Sequence, residues 1–243
     1  MIWLTSIAIA FGDPQCERIG LRDILGVEAP AVLILGERHG TQPDLNRASN
    51  IVYRMAKHHQ VTVALESVHS EYQGVLDDYA EGNMDPSDLP HLMDWEKSWG
   101  FPWAPYEQLV TSAVFGAKTV AIGFELGPRP ADQSVPLPSN YIDILRDAMA
   151  GHDMPLEMES DLVQAMAWRD YHMAELAVQG WDGQGYLVIV VGRGHVEGSK
   201  GIAWQVQRMV QTPVHAFVLA WAENPPCYVG DKVWRPSFLS ELF

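Results

Sequence analysis

The chain has 243 residues, of which 47% are hydrophobic, and it carries a formal net charge of −15. This length and composition suit one α/β domain that buries a sizeable core. The surplus of Asp and Glu (31) over Lys and Arg (16) repels the phosphates of nucleic acids and of anionic membranes, so we expect no nucleic acid partner.

The amino end of the chain allows two interpretations. Residues 1–11 (MIWLTSIAIAF) are apolar and contain the small-x-small pattern of Ala8 and Ala10, but no basic residue precedes them. They fit either a secretory signal peptide or a first β-strand. Cys16 and Cys227 lack metal-ligand spacing, and they can form a disulfide in an oxidising compartment or stay as two thiols. The sequence therefore leaves both the cell envelope and the cytoplasm open as locations.

Strand and helix patterns alternate along the chain. Apolar, β-branched runs predict strands at 31–35, 62–65, 118–122, 186–191 and 214–221. Helical periodicity predicts helices at 45–59, 71–81, 105–116, 140–150, 157–179 and 199–210. We therefore predict a single α/β domain spanning 1–243, with a mainly parallel central sheet flanked by helices and a helical insertion at about 68–105.

Three predicted strands end in residues that can carry chemistry. The stretches VLILGERHG and VIVVGRGHV both end in G-x-x-H, which places His39 and His195 just beyond their strands. The stretch VTVALES ends at Glu66, and Glu37 lies inside the first motif. The carboxyl ends of parallel strands share one edge of a sheet, where ligands bind. We expect these four side chains to converge there, with each motif glycine permitting a sharp turn or a positive φ.

Two histidines with one or two carboxylates form a common hydrolytic metal set. The candidate ligands of a divalent metal are His39, His195, Glu37 and Glu66. The candidate catalytic residues are Glu66, Glu37, Arg169 and His195, with Glu66 as the general base that activates a water. Arg169 lies mid-helix among apolar neighbours in AMAWRDYHMAEL, where its guanidinium needs a carboxylate or an anionic ligand.

Each candidate also has a purely structural explanation. The two histidines can satisfy hydrogen bonds at strand ends, and Glu66 can be solvated there. Glu37 can pair with its neighbour Arg38, and Arg169 can form a surface ion pair. The sequence contains no G-x-S-x-G, phosphate loop, H-E-x-x-H or C-x-x-C motif.

Five stretches of the chain occur together in a family's order: LILGERHG, VALESVHSEYQGVLDDYAEG, DWEKSWGFPWAPYEQLVTSAVFGAKTVAI, QAMAWRDYHMAEL and VIVVGRGHVEGSKGI. They cover most of residues 30–205 and resemble the ChaN-like proteins of the haem-binding uptake/Tiki superfamily. The resemblance implies an α/β core with a helical insertion. It also implies a pocket built from the two G-x-x-H motifs, Glu66 and Arg169. The superfamily includes metal-dependent proteases, erythromycin-esterase-like hydrolases and an iron-regulated, haem-binding lipoprotein of the cell envelope.

The chain departs from this family in three places. ChaN-like chains often carry a further His pair past the first motif, where this chain has Asp44 and Asn46. No lipoprotein signal precedes Cys16. The family resemblance implies haem binding through tyrosine, and the sequence alone does not assign a tyrosine of this chain to that ligand.

Three functions follow from these observations. The residues that carry chemistry favour a hydrolase of ester or peptide bonds, acting with or without a divalent metal. The alternative is a haem-binding protein of the cell envelope involved in iron uptake, with the aromatic segment 95–106 as its platform. The third is an inactive scaffold. The expected partners are a small-molecule or peptide substrate, or haem, and the sequence leaves open whether the protein forms a homodimer.

Overall fold

The computed structural model describes residues 16–124, 135–139, 141–143, 156–220 and 231–234. Seven parallel strands form one sheet in the order β1-β7-β6-β2-β5-β3-β4. The strands are β1 (Glu17–Ile19), β2 (Ala31–Glu37), β3 (Val61–His69), β4 (Lys118–Gly123), β5 (Tyr186–Gly192), β6 (Val214–Leu219) and β7 (Lys232–Trp234). This architecture confirms the predicted α/β class.

Eight α-helices occur in the described residues: α1 (Leu21–Leu25), α2 (Gln42–Ala56), α3 (Gln73–Ala80), α4 (Leu89–Leu92), α5 (Trp95–Ser98), α6 (Glu107–Val110), α7 (Leu156–Gly180) and α8 (Ile202–Met209). Short 3₁₀ turns lie at Ser70–Tyr72, Pro86–Asp88, Ser112–Phe115, Arg193–His195 and Glu197–Ser199. The predicted helix at 105–116 is thus divided into α6 and a 3₁₀ turn. The predicted helix at 140–150 and the apolar residues 1–11 lie largely or wholly outside the described residues.

The sheet buries a different hydrophobic cluster on each face, because side chains alternate along a strand. On one face, Leu33 of β2 shares a cluster with Leu45 of α2. On the other face, Ile34 shares a cluster with Met173 of α7 and Ile202 of α8. Helices therefore cover both faces, which explains why β2, β3 and β5 are continuous apolar runs.

The three strands that carry the predicted site are neighbours inside the sheet. β5 lies between β2 and β3, and none of them is an edge strand. In the register of the sheet, Glu37 pairs with Gly192, and Leu65 pairs with Val190. The residues that follow these pairs therefore emerge side by side at the carboxyl edge, as the sequence predicts.

The structure differs from the sequence prediction in two strands of the sheet's periphery and in the length of β3. β1 and β7 have three residues each, too few to show the pattern of hydrophobic residues that predicts a strand. β3 runs to His69, beyond the predicted end at residue 65, because a register shift between Leu65 and His69 restores its pairing with β4 at Gly123. This extension carries β3 past Glu66 and along the wall of the site.

Candidate functional site

A cavity of about 970 Å³ lies at the carboxyl edge of the sheet. Its lining includes all five residues that the sequence singles out: Glu37, His39, Glu66, Arg169 and His195. Three different strand ends and the long helix α7 supply them. The expected convergence is therefore present, although the chemical roles of the residues remain predictions.

Glu66 lies at the floor of this cavity with both carboxylate oxygens engaged. Arg169 donates from Nη2 to Oε1 over 2.7 Å, and the backbone N–H of Gly192 donates to Oε2 over 2.7 Å. Nε2 of His195 lies 3.3 Å from the same Oε1. The Glu66 side chain is only 2% exposed. These contacts satisfy a buried carboxylate, and they give Arg169 the carboxylate partner that its buried position requires.

His195 lies between two carboxylates. Its Nδ1 is 2.7 Å from Oδ1 of Asp170, and Oδ2 of Asp170 accepts a hydrogen bond from the hydroxyl of Tyr141 over 2.6 Å. Burial alone would lower the pKa of His195, but Glu66 and Asp170 raise it to about 10. Burial alone would raise the pKa of Glu66, but the charge of His195, followed by His39 and Arg169, holds it well below its usual range. The two carboxylates therefore favour the imidazolium form of His195 at neutral pH.

These four residues form a buried ion cluster, consisting of Glu66, Arg169, Asp170 and His195. Two cations balance two carboxylates within it, and its hydrogen bonds join β3, α7 and the turn after β5. Removing one member of such a buried cluster leaves an uncompensated charge, so we expect its members to be needed for stability. Asp170 is not among the residues that the sequence singles out, although it directly follows Arg169, and no sequence pattern indicates its contact with Tyr141.

His39 and Glu37 form a second, separate pair. Nδ1 of His39 is 2.6 Å from Oε1 of Glu37, whose side chain is 2% exposed. The other oxygen of Glu37 is buried without a hydrogen-bond partner. The His39 side chain is 31% exposed, and its Nε2 forms no hydrogen bond within the described part of the chain. Burial alone would lower the pKa of His39, but Glu37 and Glu66 raise it, whereas burial raises the pKa of Glu37.

The glycines of the two G-x-x-H motifs permit close packing. A β-carbon at Gly192 would lie 2.7 Å from Cε1 and Nε2 of His39. A β-carbon at Gly36 would lie 3.0 Å from the Cα of Arg193 and from Val196. Neither glycine has a positive φ. The two loops therefore need glycine for their mutual approach, and the alternative expectation of a positive φ is wrong.

The cavity walls combine apolar, basic and acidic side chains, and the acidic ones include Glu71 and Asp94. Aromatic and aliphatic residues in the lining are Tyr72, Trp99, Phe101, Phe124, Leu162, Ala165 and Met166. Basic residues in the lining, besides the two histidines of the site and His69, are Arg38, Lys97, Arg169 and Arg193. Trp99 and Phe101 contact the His39 ring, with centroid distances of 4.8 and 5.4 Å. The segment 95–106 therefore contributes aromatic surface to the site.

The structure gives the expected divalent-metal site no support. No group of three or more His, Cys, Asp or Glu side chains is arranged to hold a metal ion in the residues it describes. The physical reason is that the oxygens of Glu66 and the nitrogens of His195, which could bind a metal, already contact one another and other groups of the protein. Asp44, one of the two residues that could replace a further histidine ligand after the first motif, is buried and accepts a hydrogen bond from the backbone of Arg38. It shapes the first G-x-x-H loop.

Comparisons with known proteins agree with this architecture. The family model described as "Haem-binding uptake, Tiki superfamily, ChaN" matches residues 26–206. Among solved structures, the chain resembles ChaN of Campylobacter jejuni, which is described with cofacial heme binding, at a TM-score of 0.64 and 20% identity over 84% of this chain and 86% of that one. It also resembles the type III effector HopBA1 at a TM-score of 0.57 and 13% identity, over 91% of this chain and 97% of that one. No curated protein matches.

At such identities the two solved structures support the fold alone. The family match, in contrast, spans well over half of the chain and includes both G-x-x-H motifs, Glu66 and Arg169. The chain belongs to the ChaN family of the haem-binding uptake, Tiki superfamily.

Proposed function

We propose that this protein binds haem in the cavity at the carboxyl edge of its sheet. The observation that carries the proposal is the composition of the cavity, in which an aromatic and aliphatic wall lies beside several basic side chains. Its volume of about 970 Å³ is at the upper end of small-molecule sites. The family match and the relative described with cofacial heme binding support the same ligand class.

The apolar wall fits the faces of a porphyrin. Trp99 and Phe101 lie 5.7 Å apart between ring centroids and present their surfaces beside His39. Leu162 and Met166 add aliphatic surface from α7. Burying such surface against a large planar ligand stabilises the complex by about 25 cal/mol for each Å² removed from water.

The basic side chains fit the propionates of haem. Arginine binds carboxylates through paired N–H groups, and Arg38 and Arg193 both line the cavity. Nε of Arg193 is 3.2 Å from Glu197, and Nε of Arg38 donates to the hydroxyl of Thr41, so their remaining N–H groups serve the ligand. Arg169 is committed to Glu66 and is not needed for this role.

Replacing Phe101 with Ala is expected to weaken haem binding about tenfold, the equivalent of about 1.4 kcal/mol, because the variant removes one aromatic face of the cavity. The measurement is a haem titration followed at the Soret band. Phe115→Ala is the matched control, since Phe115 is 41% exposed and Phe101 is 37% exposed, but Phe115 lies outside the cavity lining. Equal affinities of the two variants, or a wild-type protein that shows no Soret shift, would contradict the proposal.

A second candidate function, hydrolysis of ester or peptide bonds, is favoured by the Glu37–His39 pair. A carboxylate that holds Nδ1 leaves Nε2 free to take a proton from an attacking water. His39 suits this role better than Glu66, whose oxygens are both engaged and whose pKa lies well below its usual range. In this function His39→Ala lowers the hydrolysis of a simple ester substrate by about 10²–10⁴-fold. Equal rates for the wild type and His39→Ala would exclude it.

We further propose a location in the cell envelope. Cys16 is disulfide-bonded, and disulfides persist mainly in oxidising compartments. Separately, none of the helices in the described residues is long and apolar enough to span a membrane. Fractionation of the native host tests the location, and recovery of the protein with cytoplasmic markers alone would contradict it.

A further inference from the structure

We infer that His39 supplies the nitrogen that coordinates haem iron, and that Glu37 fixes its ring and strengthens it as a ligand. This inference rests on the proposed haem function and names the iron ligand within it.

The hydrogen bond to Glu37 determines which nitrogen of His39 is available. Glu37 is buried with Oε1 at 2.6 Å from Nδ1, so in the neutral imidazole Nδ1 carries the hydrogen and Nε2 carries the lone pair. Histidines that bind metals commonly donate their second N–H to a carboxylate in this way. Because Nε2 has no hydrogen-bond partner among the described residues, coordination would not break an existing contact.

The other oxygen of Glu37 strengthens this effect. It is buried without a hydrogen-bond partner, so no other donor shares the negative charge of the carboxylate. The negative charge of Glu37 therefore acts mainly on the Nδ1–H group of His39, in an environment that screens it poorly. A carboxylate that withdraws the Nδ1 proton in this manner makes Nε2 a more electron-rich ligand and favours ferric over ferrous iron.

The other histidines of the cavity lining are less suitable. Both nitrogens of His195 face carboxylates, and its side chain is buried within the ion cluster, so it has no lone pair to offer. His69 is only 8% exposed. Tyr72 also lines the cavity and its ring stacks with that of His69, which makes its phenol the competing ligand that the experiment must test.

The surroundings of His39 hold its ring in one orientation. Trp99 meets it edge-on at 4.8 Å, Phe101 lies at 5.4 Å, and the absent side chain of Gly192 leaves the room that the ring occupies. The His39 side chain is nevertheless about one third exposed and belongs to the cavity lining. A rigid, partly open imidazole is the arrangement that axial ligation requires.

The test compares ferric haem with metal-free protoporphyrin as probes. In His39→Ala, the Soret position and the electron paramagnetic resonance signal of bound ferric haem should lose the features of nitrogen ligation. Affinity for protoporphyrin should stay within about threefold of the wild type, since the cavity walls are retained. Added imidazole should restore the wild-type spectrum in His39→Gly. His59→Ala, which changes an exposed histidine outside this cavity, should match the wild type in every measurement.

Glu37 has its own readout. Glu37→Gln should keep nitrogen ligation but shift the reduction potential of bound haem to more positive values, because a neutral amide donates less charge through Nδ1. An unchanged potential in this variant would overturn the part assigned to Glu37. Circular dichroism verifies that each variant is folded.

The outcomes separate the inference from the function on which it rests. Wild-type spectra in His39→Ala, or a loss of the iron signature in Tyr72→Phe instead, would overturn the inference and leave haem binding intact. Failure of the wild type to bind both ferric haem and protoporphyrin would overturn the proposed function itself.

Discussion

Replacing Asp170 with Ala is expected to lower the free energy of unfolding by about 3–5 kcal/mol, because it leaves the buried His195 imidazolium without one of its two carboxylates. Asp170 is 1% exposed, lies 2.7 Å from Nδ1 of His195 and accepts from the Tyr141 hydroxyl. The variant therefore leaves both the charge of His195 and the hydroxyl of Tyr141 without this partner. Losing both contacts is costlier than losing a surface ion pair, which contributes about 0–1 kcal/mol.

Urea unfolding monitored by tryptophan fluorescence measures this loss. Asp78→Ala is the matched control, since Asp78 is an exposed aspartate of α3, and its removal should change stability by no more than about 0.5 kcal/mol. If Asp170→Ala unfolds at the same urea concentration as Asp78→Ala, the ion cluster does not stabilise the fold. A variant that fails to accumulate as folded protein agrees with the expectation, and Asp170→Asn, which retains the shape and one acceptor, then gives the measurable intermediate case.

The strands that could be predicted from the sequence are those whose burial requires a run of apolar residues. β2, β3 and β5 are covered on both faces, so their sequences must be apolar throughout, and that continuity is visible in a single chain. β1 and β7 pair only with one another and with β6. Their three-residue lengths are fixed by the neighbouring strand and not by a pattern of their own, which is why the sequence did not predict them.

The convergence of the site could be predicted for a related reason. Strand ends that follow buried runs must meet at one edge if the strands are parallel, so the proximity of His39, Glu66 and His195 could be predicted from the sequence alone. The sequence could not predict which of these side chains contact one another. Whether His195 faces a metal or faces Asp170 depends on the rotation of α7 against the sheet, which is set by packing of Met173 and Ala177 in the second cluster.

Two different kinds of charge pair consequently share the cavity floor. The four charges of the ion cluster compensate one another, although Nε of Arg169 is buried without a hydrogen-bond partner. The Glu37–His39 pair keeps an unsatisfied carboxylate oxygen and a free imidazole nitrogen. Polar atoms without a hydrogen-bond partner at a cavity wall indicate where a ligand can bind. This difference is why the proposed haem contacts are placed at the first G-x-x-H motif.

The pH dependence of stability should reveal the state of His195. Its pKa in the folded protein is raised from 6.5 to about 10 by Glu66 and Asp170, against the effect of burial. A raised pKa contributes stability that is fully present below pH 6.5 and is lost as the pH rises toward 10, since the folded state then binds a proton that the unfolded state does not. Between pH 7 and 9.5 the free energy of unfolding should therefore fall by up to about 1.4 kcal/mol per pH unit.

Urea titrations at half-unit pH intervals measure this slope, and His195→Gln provides the comparison. The variant should be less stable at pH 7 but should lose less stability on alkalinisation, because glutamine does not titrate. If that variant does not fold, nitrogen NMR of the native protein labelled in histidine gives the same answer directly. Both ring nitrogens of His195 should remain protonated at pH 9. A neutral His195 at pH 8 in the folded wild type would show that Glu66 and Asp170 do not hold it as a cation, and the description of the ion cluster would be wrong.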